Sequence, residues 1–100
     1  MTETSFMNIY DNIRGKWLPT TKMSAARDAF NNSSNYFTAD QAVRIISLVD
    51  NEANKLELAK LSYDNIVDPQ NFGQISNLLT KQSDRDELDR YVRSTTNRSY

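Results

Sequence analysis

Apolar residues recur along this chain at helical spacing, and polar breaks divide them into six segments. Phe6, Ile9, Tyr10 and Ile13 fall at i, i+3, i+4 and i+7, which predicts a first helix from about residue 4 to Gly15. Trp17 and Leu18 follow, and Pro19 biases Leu18 away from helix because its ring crowds the preceding backbone. A second helix, carrying Met23, Ala26, Ala29 and Phe30, starts after Thr20 or Thr21. The run Asn31-Asn32-Ser33-Ser34-Asn35 reads as a loop, since each side chain competes for backbone hydrogen bonds. Thr38 and Gln41 have the spacing of a capping box for a third helix, with Ala42, Ile45, Ile46 and Val49 inward. Asp50 or Asn51 caps a fourth, which carries Leu56, Ala59 and Tyr63 to about Asn65. Asp68-Pro69 reads as cap and first position of a fifth helix, with Phe72, Ile75, Leu78 and Leu79 on one side. Ser83 to Asp86 opens a sixth with the stripe Leu88, Tyr91, Val92 and Thr95.

These segments predict an all-α fold: a compact bundle of about six short helices, monomeric, with no β-sheet. The length suits one domain over residues 1–100 and leaves no room for a second core. A weak duplication is also legible. Lys22-Met23 leads through Ala26 and Phe30 to Phe37 and Ile45-Ile46, while Lys55-Leu56 leads through Ala59 and Tyr63 to Phe72 and Leu78-Leu79. A period of about 33–35 residues suits helix-pair repeats. Residues 20–48 and 53–80 are thus expected to form two stacked pairs, with Phe37 and Phe72 at matching core positions.

Charge narrows the partners. The net charge is −1, from 12 basic and 13 acidic residues, and neither half carries the basic excess that nucleic acid or an anionic membrane demands. With no Cys and no His, thiolate chemistry, disulfides and the commonest zinc ligand are absent. No apolar run reaches the roughly 18–20 residues needed to cross a bilayer. The N-terminal stretch lacks the basic and apolar regions of a signal peptide, so an exported location would require that a signal had been removed.

The order of FTADQAVRIISL at 37–48, LELAKLSY at 56–63, VDPQNF at 67–72 and RDEL at 85–88 resembles the bacterial family called domain of unknown function 4476, over about Phe6 to Val92. Members of that family often sit in exported or envelope-associated proteins, so the resemblance implies the periplasm or cell envelope. It implies no activity and transfers no catalytic residue.

The candidate sites are few. A calcium loop counted from Asp50 puts Lys55 at position 6 and Leu61 at 12, and one counted from Asp64 puts Pro69 and Ile75 there; neither supplies the glycine and glutamate an EF-hand requires. Asp50 and Asp68 are read as caps, and no metal or cofactor is expected. Glu52, Glu57, Asp64 and Asp68 offer carboxylates for a hydrolase, although a small helical domain has little room for the necessary cleft. Lys55 and Lys60 are read as stems lying over apolar surface, with Glu57 and Lys60 as a surface ion pair on one helix. Arg85, Arg90, Arg93 and Arg98 are interleaved with acids that would repel phosphate, so they form a solvated face. Most aromatics are core anchors. Trp17 and Tyr36, beside breaks in the pattern, are the expected exposed pair, and with Lys60 they make the candidate interaction surface.

The expected function is a non-enzymatic module that binds a protein or peptide, as an accessory domain of an envelope protein. The alternative is a small-molecule or carbohydrate binder that uses the amide-rich loop Asn31–Asn35 beside Tyr36. A carboxylate-based hydrolase is the third class. A ligand-sized cleft lined by Trp17, Tyr36 and carboxylates would favour the second or third, and an exposed apolar patch the first.

Overall fold

The computed structural model describes residues 1–97, of which 72% are helical. Among the described residues six α-helices succeed one another: α1 (Glu3–Arg14), α2 (Pro19–Asn31), α3 (Ala39–Ile46), α4 (Glu52–Ser62), α5 (Gly73–Ser76) and α6 (Gln82–Asn97). There is no strand among the described residues, only a parallel bridge between Phe37 and Ile66. The all-α class read from the periodicity is the class observed. Arg98 lies outside the described residues.

Local chemistry sets most of the boundaries. Pro19 occupies the first position of α2, where the missing N–H costs nothing, and Leu18 before it is extended. The Thr38 hydroxyl accepts from the Gln41 N–H at 3.1 Å while the Gln41 side chain accepts from the Thr38 N–H at 3.0 Å, closing the expected capping box. Of the two candidate caps of α4, Asn51 is the one that accepts, from the Asn54 N–H.

Three expectations need correction. The α-helix of α4 stops at Ser62, and Tyr63–Asn65 tightens into a 3₁₀ turn. Here the Asn65 side-chain amide donates to Phe30 O at 2.6 Å and the Asn65 backbone carbonyl accepts from the Phe37 N–H at 2.8 Å, which draws the backbone across to the end of α2. Asp68 does not cap the helix on its C-terminal side. Its carboxylate accepts from the Ala39 N–H at 2.7 Å, the first residue of α3, and from the Asn71 amide at 2.9 Å. After Asp68 the chain makes a 3₁₀ turn, Pro69–Asn71, before the short α5. Nor do Glu57 and Lys60 pair with each other. Glu57 meets Arg27 of α2 and Lys60 meets Glu87 of α6, because neighbouring helices offer partners that hold the charges between elements.

The packing resolves into two layers. Helices α2, α4 and α6 lie side by side in one, α1, α3 and α5 in the other, and α1–α2 and α3–α4 contacts join them. The smallest extent, 18 Å, suits two layers of helices packed roughly 8–10 Å apart. Neighbours among α2, α4 and α6, and α1 beside α3, run parallel. Glu52 at the start of α4 reaches Thr80 and Lys81 at the start of α6, and Lys60 reaches Glu87 further along both. Asn54 sits beside Pro19 and Thr20, and Glu57 beside Arg27, so α2 and α4 also share a direction. In the other layer Gln41 contacts Met1 and Arg44 contacts Glu3. Each half carries an edge-on ring pair at nearly the same separation, Phe30–Phe37 at 5.2 Å and Tyr63–Phe72 at 5.1 Å. Phe37 and Phe72 are both buried.

Candidate interaction surface

Trp17 owes its position to the breaks on either side of it. The Gly15 N–H closes the last turn of α1 on Asp11 O, and Pro19 holds Leu18 extended, so the link between α1 and α2 has no helical face to turn inward. Trp17 is 91% exposed and Leu18 50%. Beside them a cleft of about 380 Å³ is lined by Trp17, Pro19, Lys22, Leu48, Asp50 and Asn54, among others. Its far wall is the turn between α3 and α4, where Val49 anchors in the core and Asp50 is exposed.

Tyr36 lies elsewhere. In the bridged loops Phe37 and Ile66 point into the core, and the alternation of an extended chain turns Tyr36 and Val67 outward, 55% and 54% exposed. Trp17 precedes α2 and Tyr36 comes after it, so the 13 residues of that helix, roughly 20 Å, separate the two. Lys60 stands on a third surface, half-buried, paired with Glu87 and 5.9 Å from the centre of the Tyr91 ring. The three residues expected to share one surface are not brought together.

Of the candidate carboxylates, Glu52, Glu57 and Asp68 are engaged structurally, while Asp64 stands exposed in the turn after α4. Glu57 is held below its usual range by the hydrogen bond from Arg27, and Glu87 by that from Lys60. Asp68 is lowered by the Asn71 amide, with the Ala39 N–H adding to it. Glu52 drops to about 2 because the Thr80 hydroxyl, Asp84 and the Thr80 and Lys81 N–H groups all hydrogen-bond to it, and Asp84 is raised through its bond to Glu52. Two acids driven apart in this way would suit acid–base work inside a cleft. Here the Glu52 oxygens instead bind the backbone that opens α6, at 2.8 and 3.1 Å.

A further concavity was not anticipated. A groove of about 760 Å³ runs between α1 and α2, floored by Ile9, Ile13, Ala25 and Ala29. Asn8 and Asn12 rim it from α1, Lys16 from the link that follows, Thr21, Ser24 and Asp28 from α2, with Asn32 and Asn35 at the far end. The loop amides are preset: Asn32 Oδ1 accepts from the Ser34 N–H at 2.9 Å and Asn35 donates to Ala29 O at 3.0 Å. The signal for this groove was the spacing of Asn8 and Asn12 beside Ile9 and Ile13, which in sequence looks like any solvated helix edge. Tyr36 is not part of it.

The molecule is thus a two-layered, all-α domain whose exposed aromatics stand at opposite ends of one helix. The chain belongs to the family described as Domain of unknown function (DUF4476), whose model matches residues 1–92. No curated protein and no solved structure matches it. Among the described residues no helix is long and apolar enough to cross a membrane.

Proposed function

We propose that this domain is a non-enzymatic module that binds a protein or peptide through the surface formed by Trp17 and Leu18. The observation that carries this reading is the exposure of Trp17, 91% in a chain whose Phe6, Phe30, Phe37 and Phe72 are all buried. Leaving a large apolar ring in water is unfavourable, and covering it on binding recovers that free energy, which is why Trp dominates interface hot spots. The company its family keeps supports a role as an accessory domain of an envelope protein. The chemistry that holds Glu52, Glu57, Asp68 and Glu87 in structural bonds supports the absence of a catalytic role.

Trp17 is the sole tryptophan, so its emission reports on this surface alone. Peptides selected from a random display library against the folded domain should shift that emission to the blue and lose binding to Trp17→Ala. Peptides that bind the variant equally well would contradict the reading. A second reading, a carbohydrate or small-molecule site, is favoured by the cleft that sets Trp17 beside Asp50, Asn54 and Lys22. Glycan-array binding abolished by both Trp17→Ala and Asp50→Ala, with no peptide selected, would decide for it.

A further inference from the structure

The layer of α2, α4 and α6 has two closed seams and an open edge along each outer helix. Each closed seam carries a charge pair with the base on the earlier helix and the acid on the later one, Arg27 with Glu57 and Lys60 with Glu87. On the side of α2 away from α4 the layer simply stops, and the groove against α1 occupies the place where a further helix would lie. Its floor is apolar, with Ile9 and Ala25 only half-buried.

The charges on its rim are laid out lengthwise. Lys16 stands at the end where α2 begins, and Asp28 lies about two turns, roughly 10 Å, along from Thr21. A helix lying parallel to α2, as its layer neighbours do, would bring its first turn to Lys16 and its later turns to Asp28. That order matches what a helix itself prefers, an acid near its N-terminus and a base towards its C-terminus. An acid and base in that order would satisfy both charges, and a base opposite Asp28 would repeat the pairing of base with acid that closes the other seams.

The layer's other open edge, α6, does not complement the groove. The outward side of α6, with Asp86, Asp89, Arg90 and Arg93 exposed, has no apolar residue to cover the floor.

We propose that the α1–α2 groove is a docking site for an amphipathic helix of a partner protein. The helix lies parallel to α2, sets small apolar residues on Ile9 and Ala25, and carries an acid opposite Lys16 and a base two turns later opposite Asp28. This is helix-in-groove recognition, with charge order selecting orientation. The site is separate from the Trp17 surface.

Two hydrocarbon-stapled 16-residue peptides test it, one with Glu in the first turn and Lys seven residues later on an Ala/Leu seam, the other with the two charges exchanged. Titrated into the ¹⁵N-labelled domain, the first should shift the amides of Asn8, Asn12, Ala25 and Asn32. It should bind on the order of tenfold tighter than the exchanged peptide. The double variant Lys16→Glu/Asp28→Lys, whose spectrum also shows whether it is folded, should reverse the preference, and Trp17→Ala should leave it intact. Equal binding of both peptides, shifts confined to other surfaces, or a preference unmoved by the double variant would overturn the proposal. So would concentration-dependent self-association that broadens the same amides without peptide, which would assign the groove to a second copy.

Discussion

The two sides of α2 are built from the same helix and differ in almost everything else. One side, with Met23, Ala26, Arg27 and Phe30, faces α4; its apolar residues are buried and its charge is paired with Glu57. The other, with Thr21, Ser24, Ala25 and Asp28, faces a groove. Ala25 and Ala26 are adjacent residues of identical composition, yet Ala26 is wholly buried and Ala25 only partly so. Helix propensity cannot distinguish them, so the difference comes from which neighbour the chain supplies. The covered side holds the fold together, and the open side is available for something else.

Mutations should separate the two. Phe30→Ala, or Phe37→Ala on its ring partner, should cost about 3–5 kcal/mol, the range for emptying a packed aromatic site. Chemical denaturation would show this as a large fall in midpoint. Asp68→Ala should cost about 0.5–2 kcal/mol, because the lost bond caps a helix whichever segment provides the carboxylate. The structural signature distinguishes this cap from a local one: amide exchange should quicken at Ala39, 29 residues earlier, more than along Pro69–Asn71.

The α4–α6 seam should respond to pH. The Glu52 pKa is lowered to about 2 from 4.5, so its stabilising effect is complete above the unfolded value and is lost as pH falls from about 4.5 towards 2. Asp84 is shifted the other way, so its contribution is present at low pH and lost as pH rises through its raised folded value. Asp84→Asn should therefore raise the denaturation midpoint at neutral pH and lessen the change between pH 7 and pH 4. A lower midpoint at pH 7 would mean that Asp84 acts mainly by favouring the start of α6. The smallest effect belongs to the open side. Asp28→Ala should change stability by less than about 0.5 kcal/mol, the usual range for a surface substitution.

How much of this was legible depends on where each interaction closes. The helices rest on periodicity and on caps formed within a few residues, so Phe6 to Ile13 and the Thr38–Gln41 box could be read directly. Asp68-Pro69 carried the same local grammar and misled, because the N–H that its carboxylate binds belongs to another helix. Glu57 and Lys60 misled for the same reason: the spacing on α4 allowed a pair, but Arg27 and Glu87 lay across the seams. Exposure at Trp17 and Tyr36 could be anticipated from the broken pattern around them, though not their separation by the length of α2. The groove was hidden because Asn8, Asn12 and Asp28 look like solvated residues until α1 and α2 are set side by side. Phe30–Phe37 and Tyr63–Phe72 have the near-equal ring geometry that a duplication would leave, and we propose that the two halves descend from one helix pair.

The claim that α2 has one covered and one open side is tested most directly by the methyl groups of Ala25 and Ala26. With a soluble, neutral gadolinium chelate in the solvent, the Ala25 methyl should relax several-fold faster than that of Ala26, with Ile9 behaving like Ala25 and Met23 like Ala26. Equal protection of the two alanines would mean that the groove is already filled in solution, and the account of an open side would be wrong.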